Sequence, residues 1–201
     1  MSDAQNKPKT PSEITSEIPN ADWGPLAGLP GNPIMWMLIA SEVLAFGAIF
    51  VAFSIVRMQQ PELFAESQNH LNRLAGAINT MVLLTSGFCA ALAVHYQKQG
   101  NTKVTRIALV GSSMLGLVFL GVKWVEYAQK AAEGISTETN SFYMFYYLTT
   151  GFHAMHVVFG ILILMIVAWK NTEDNVVTGT AFWHMVDLIW VILFPLIYLV
   201  R

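Results

Sequence analysis

The chain has 201 residues, of which 54% are apolar and only 12% charged, and its formal net charge is −2. A soluble domain of this length carries about twice that share of charged residues, and the mean hydropathy is +0.49, so the composition is that of a chain dissolved in a bilayer. The near-zero charge gives no electrostatic basis for binding nucleic acid or an anionic membrane surface, and the one cysteine, Cys89, excludes an internal disulfide or thiolate cluster.

Residues 1–32 differ in kind from the rest. Residues 1–22 are rich in Pro, Ser, Thr, Asn and Glu, and no apolar signal-peptide core follows the charged start, so this tail is read as retained and largely disordered. Trp23 and the stretch holding Pro25, Gly28, Pro30 and Gly31 are expected to turn it into the membrane surface.

Five apolar stretches follow, read as membrane spans at 33–56, 77–96, 107–126, 142–169 and 181–200. Each has about 20 residues or more, the length a helix needs to cross the hydrocarbon core. The expected fold class is therefore all-α: a polytopic membrane protein with a five-helix bundle over 33–201 as its single domain. Small residues four apart, Ala48 with Ala52, Gly87 with Ala91 and Ser112 with Gly116, suit close helix packing. Trp36, Tyr96, Trp124, Tyr127, Trp169 and Tyr198 lie near span ends and fit interfacial anchoring. Basic residues do not orient the bundle: with the N-terminus inside, six lie on the inner side and five on the outer.

The first span holds Glu42 in an otherwise apolar run. Nine helical residues place it roughly 14 Å in, near the midplane, where a charge costs about 2.5–3.5 kcal/mol on insertion scales. Such a residue faces a bundle interior, a partner or a polar pathway; the plainer reading is a hydrogen-bonded helix contact. In the third span Lys123 and Glu126 read either as side chains snorkelling to the interface or as a clasp three residues apart.

The fourth span contains His153 and His156, three apart and on one helix face. Neutral imidazole is a common metal and haem ligand, but there is no H-E-x-x-H pattern, and a bis-histidine haem wants facing ligands from another helix. Helix–helix hydrogen bonding is the preferred reading. In the fifth span His184 and Asp187 are again three apart, suited to pairing with one another as a structural clasp or, alternatively, as a proton-relay element.

Five stretches together resemble the subunit III family of haem-copper oxidases. Ser41-Glu42-Val43-Leu44 followed by Phe46 is similar to its S-E-V-x-x-F helix, and Asn79-Thr80 with Leu83-Leu84-Thr85-Ser86-Gly87 to its N-T-x-x-L-L-x-S-G helix. Glu126-Tyr127, Thr150-Gly151-Phe152-His153-Ala154-Met155-His156-Val157 and Trp183-His184-Met185-Val186-Asp187-Leu188-Ile189-Trp190 are similar to the remaining motifs, all in family order. The long form of the family has seven spans and a lipid-holding cleft that five spans cannot complete. The stretches 29–33 and 194–198 look most like the short branch associated with nitric oxide reductase in denitrifying bacteria.

The resemblance implies an accessory subunit in the bacterial inner membrane, N-terminus cytoplasmic and C-terminus periplasmic. It implies no cofactor in this chain, with haem, and copper or non-haem iron, carried by a catalytic partner subunit. That catalytic subunit and its electron-accepting subunit are the implied protein partners, and phospholipid a bound companion. Assembly, stability and proton uptake of the partner are the implied roles, and Glu42, Glu126, His153, His156, His184 and Asp187 the motif residues that serve them. Two alternatives stand beside this: subunit III of an aerobic cytochrome c or quinol oxidase, and a small independent proton or ion transporter.

Overall fold

A computed structural model describes residues 33–200, and the tail expected over 1–32 lies outside them. The described chain runs α1 (Pro33–Gln59), α2 (Pro61–Asn69), α3 (Arg73–Lys98), α4 (Thr102–Ala132), α5 (Ser141–Lys170) and α6 (Glu173–Phe194), the last continued by a π-helical turn over Pro195–Leu199. Five of these helices are long and apolar enough to cross a membrane. They coincide with the five stretches read from sequence but extend further. The connection at Pro61 is a short helix, α2, rather than a loop, started by the proline at its first turn.

The helix starts are written in asparagine. Asn72, Asn101 and Asn140 each accept from a backbone N–H three residues on, at 3.0, 3.3 and 2.9 Å, satisfying one of the amides a helix start leaves unpaired. Asn171 ends α5 in the left-handed conformation with φ 37°, which asparagine tolerates better than most residues. Its amide then donates to the Thr102 carbonyl at 3.1 Å, tying the α3–α4 and α5–α6 connections side by side at one end of the bundle. At the other end Asn140 donates to Ser67 Oγ at 3.1 Å, holding α2 to the start of α5.

α6 is the central helix and α1 the peripheral one. In the most apolar window of each span, 56% of residues are buried for α6 but 11% for α1. Trp183 of α6 explains the centre. Its indole lies where a Cβ on Gly116 of α4 or Gly160 of α5 would be, at 2.7 and 2.6 Å from ring carbons. Its Nε1 donates to Ser86 Oγ of α3 at 3.0 Å, and Ser86 donates to the Ser112 carbonyl of α4 at 2.7 Å. One side chain thus engages three neighbouring helices, and small residues at 86, 112, 116 and 160 make the room for it.

Two turns further, Trp190 Nε1 donates to Thr80 Oγ1 at 2.9 Å, while Asn79 donates to the Phe119 carbonyl at 3.2 Å. Ser86 and Thr80 of α3 are therefore receptors for the tryptophans of α6. Pro195 cannot donate a backbone hydrogen bond, and the helix widens there, closing with Val200 N–H to the Pro195 carbonyl at 2.9 Å. This turn carries Tyr198 into the core, 1% exposed, which corrects its reading as an interfacial anchor. Trp124 and Trp169, 76% and 80% exposed, keep that reading.

Candidate intramembrane polar sites

Three of the six candidate residues, Glu42, His156 and Glu126, fall into two hydrogen-bonded settings that join helices; His153, His184 and Asp187 do not. Glu42 Oε2 on α1 meets His156 Nε2 on α5 at 3.0 Å. The other ring nitrogen, Nδ1, lies 2.8 Å from the Phe152 carbonyl. A carbonyl only accepts, so Nδ1 carries a proton. One further proton is then shared between Nε2 and Oε2, and the pair is neutral as a whole whether that proton sits on nitrogen or oxygen. The cost of a midplane carboxylate is met by a partner on the same level.

Glu126 lies in a closed network at the other end of α4. Lys123 Nζ donates to Glu126 Oε2 at 3.0 Å, to Tyr146 Oη at 3.1 Å and to Tyr198 Oη at 3.0 Å. Both tyrosine hydroxyls donate to Glu126 Oε1, at 2.8 and 2.7 Å. All three ammonium protons are used, each hydroxyl donates once and accepts once, and the carboxylate accepts three bonds. Lys123 and Glu126 are 2% and 6% exposed, so the snorkelling reading is replaced by a buried clasp joining α4, α5 and the π-turn. Snorkelling fails because α4 runs on to Ala132, putting both residues more than one turn inside the helix end. The Lys123 ammonium also lies 4.9 and 4.8 Å from the ring centroids of Tyr127 and Tyr146. Tyr127 donates to Thr150 Oγ1 at 2.6 Å, since the threonine proton is given to the Tyr146 carbonyl.

His153 does not make the helix–helix hydrogen bond expected of it. It is 0% exposed, neither ring nitrogen has a partner among the described residues, and its ring lies 5.1 Å from Trp190, 5.6 Å from Phe119 and 6.4 Å from Phe46. Here the imidazole is a packing ring between α1, α4 and α6.

His184 and Asp187 share a face, but no hydrogen bond joins them, which corrects the expected pairing. Asp187 is 7% exposed, with Oδ1 unpartnered among the described residues. Its carboxylate lies against Gly87 of α3, where any Cβ would collide with Oδ2. His184 is exposed on the outside of the bundle beside it. Sequence reasoning missed Tyr146, Tyr198 and the role of Gly87; the S-G pair at 86–87 opposite W-H-x-V-D was the available signal.

Among the described residues no group of three or more His, Cys, Asp or Glu could hold a metal ion. Two of the polar settings, Glu42 with His156 and Lys123 with Glu126, join helices, and the described residues form a bundle with five helices long and apolar enough to cross a membrane.

That class of protein acquires a family from comparison with known sequences. The sequence profile described as cytochrome c oxidase subunit III matches residues 31–200, and the chain belongs to that family. It is 32% identical over 180 residues to the heme-copper oxidase subunit I+III of Aeropyrum pernix, a match covering 83% of this chain and 22% of that longer protein. It is 31% identical over 176 residues to the cytochrome c oxidase subunit 3 of Thermostichus vulcanus, covering 81% of this chain and 84% of that one. It is 27% identical over 175 residues to the probable quinol oxidase subunit 3 of Staphylococcus aureus, covering 82% and 86%.

Proposed function

We propose that the chain is the subunit III of an aerobic haem-copper terminal oxidase, seated beside the haem-bearing subunit I and without a redox centre of its own. The observation that carries this is the Aeropyrum relative, in which the segment similar to this chain belongs to one polypeptide named subunit I+III. A name of that kind joins the two units in one polypeptide, which supports their assembling together. The relatives reported above carry the names of both cytochrome c and quinol oxidases, so the reading extends to an oxygen-reducing oxidase of either donor class. None of those names points to nitric oxide reductase, and the sequence reading is moved accordingly, from that branch to the aerobic one.

The interior of the bundle supports an accessory role. Two sets of its titratable groups fasten helix to helix: Glu42 with His156, and Lys123 with Glu126 and two tyrosines. A subunit built this way contributes a rigid wall to a complex, shielding the catalytic subunit from lipid and prolonging its life in turnover. We place it in the bacterial inner membrane with the tail cytoplasmic.

The test is affinity purification of the tagged full chain from native membranes. Co-purification with a large haem-bearing subunit and oxygen uptake by the purified complex is expected. Nitric oxide reduction without oxygen uptake would return the chain to the other branch. A Soret band retained by the chain after all partners are removed, or ion flux in liposomes holding the chain alone, would overturn the accessory reading.

A further inference from the structure

A hollow of about 410 Å³ lies between α4 and the start of α3. It is polar at one end and apolar along the rest. Asn72, Gln129 and Glu126 line the polar end, and the α4 residues Val118, Gly121, Val122 and Val125 line the remainder. Those four follow the i, i+3, i+4, i+7 spacing of a single helix face. At ~1.5 Å per residue the row runs roughly 12 Å from Val118 to the level of Glu126.

The polar end sits at the edge of the hydrocarbon layer. α4 has 31 residues, a length of about 45 Å against an apolar core of about 30 Å. Glu126 precedes the last residue, Ala132, by six positions, so it lies roughly 9 Å from the helix end. Trp124, two residues away and 76% exposed, marks the same boundary. Glu126 is the one charged residue among the described residues lining the hollow, and Lys123 does not line it, so the hollow meets the acid of that pair. Of the Glu126 side chain, 7% stays exposed. Oε1 accepts from two tyrosines, but Oε2 accepts only from Lys123 among the described residues, which leaves that oxygen room for one more donor. Along the apolar part, a Cβ on Gly121 would meet nothing within 4 Å, so the packing of the described chain does not use this space. Water would supply a donor but not fill the apolar length, and an acyl chain alone would do the reverse.

We propose that this hollow seats a phosphatidylethanolamine, its ammonium donating to Glu126 and one acyl chain lying along Val118, Gly121, Val122 and Val125. A charge-assisted bond from an ammonium to a carboxylate is among the strong ones, and the lipid phosphate keeps the site neutral beside the Lys123–Glu126 pair. An anionic headgroup would meet the carboxylate with like charge. A choline headgroup has the same positive charge but no N–H to donate. The seat is formed by α3 and α4 alone and needs none of the spans that the seven-span form adds. It goes beyond the proposed function and does not depend on it, since the hollow belongs to this chain whichever complex it joins.

The test uses the full chain purified from its native membranes, with whatever accompanies it, in phosphatidylcholine nanodiscs. A trace of phosphatidylethanolamine carrying a diazirine in one acyl chain is added and irradiated, and adducts are mapped by peptide mass spectrometry. Phosphatidylcholine and phosphatidylglycerol with the same photoreactive chain are run in parallel. Labelling of residues 118–125 by the ethanolamine lipid, several-fold above either analogue, is expected. N-methyl and N,N-dimethyl headgroups, which keep an N–H, are expected to label near the ethanolamine level. Leu162, on the exposed face of α5 and outside the hollow, is expected to label equally with every headgroup. Gly121→Phe fills the apolar length without altering the Lys123–Glu126 network, and is expected to abolish the excess while leaving labelling at Leu162 unchanged. Equal labelling of 118–125 by the ethanolamine and choline lipids means general boundary lipid and overturns the proposal, as does a preference for the glycerol headgroup. Absence of adducts at 118–125, or an excess that survives Gly121→Phe, overturns it as well. The headgroup series is read on the unaltered chain, so the proposal stays testable if the variant fails to fold, and no oxidase activity enters the readout.

Discussion

Glu42 and His156, 114 residues apart in sequence, meet at 3.0 Å and fasten the least buried span of the bundle to α5. Because the pair shares one proton and is neutral as a whole, an amide can take the place of the acid in either protonation state. Glu42→Gln is expected to leave stability nearly unchanged. Glu42→Ala leaves Nε2 of a mostly buried imidazole without a partner and is expected to cost about 1–2 kcal/mol. Denaturant titration of the detergent-solubilised protein compares the two. Equal losses would mean that net charge rather than the hydrogen bond holds α1.

The Lys123–Glu126–Tyr146–Tyr198 network is complete, and complete networks fail badly when one member is removed. Lys123→Met leaves a buried carboxylate with hydroxyl donors only and is expected to destabilise by about 3–5 kcal/mol, the range for breaking one partner of a buried pair. Tyr198→Phe removes one donor and is expected to cost about 1–2 kcal/mol. The double variant Lys123→Met/Glu126→Leu should be less damaged than Lys123→Met alone, a non-additivity that marks a shared network. Additive losses in thermal melts would show the groups to act separately.

The five spans and the need for a partner at Glu42 were legible in the sequence, because each rests on hydropathy or on the cost of a charge in an apolar run. What could not be read depends on three-dimensional register. Tyr198 looked like an anchor because it stands near the chain end; only the π-turn begun by Pro195 swings it inward onto Glu126. His184 and Asp187 share a helix face by spacing, yet the carboxylate lies against Gly87 of another helix, in space that only a glycine leaves open. His153 and His156 are equivalent by spacing too, but one turn of α5 brings His156 opposite Glu42 and His153 among three aromatic rings. The family motifs were visible as a pattern; their meaning, a set of receptors on α3 for the tryptophans of α6, required the fold.

His153 therefore gives a prediction opposite to that for its neighbour. Its ring packs without hydrogen bonds, so His153→Phe keeps the shape, removes two unsatisfied nitrogens, and is expected to change stability by less than about 1 kcal/mol or to raise it. His156→Phe breaks the pair with Glu42 and is expected to cost about 1–3 kcal/mol. The same denaturant titration reads both, and a large loss from His153→Phe would reveal a polar partner for that ring in the folded protein.

The notch that receives Trp183 is equally specific. An added Cβ at residue 160 meets the indole at 2.6 Å, and overpacking of this kind costs about 1–3 kcal/mol. Gly160→Ala is expected to lower the melting temperature, and to do so less in a Trp183→Leu background. Gly111→Ala, where nothing lies within 4 Å, should be neutral or stabilising by up to about 1 kcal/mol, as alanine favours a helix interior. Equal effects at the two glycines would mean that the tryptophan does not occupy the notch.

Orientation in the membrane follows from which ends of the helices lie together. Asn171 bonds to Thr102 at 3.1 Å, so the α3–α4 and α5–α6 connections share one side; Ser67 and Asn140 bond at 3.1 Å, so α2 and the α4–α5 connection share the other. Basic residues, six against five, do not say which side is cytoplasmic. With the N-terminal side within the cell, as proposed above, five spans put residue 172 inside and residue 137 outside. In a Cys89→Ala background, a membrane-impermeant maleimide should label Thr137→Cys in intact cells whose outer membrane admits it. Thr172→Cys should be labelled only after the inner membrane is opened. Both positions are exposed turns away from the polar networks, so the substitutions report topology rather than fold. The reverse pattern would invert the bundle and carry the Lys123–Glu126 network to the cytoplasmic side.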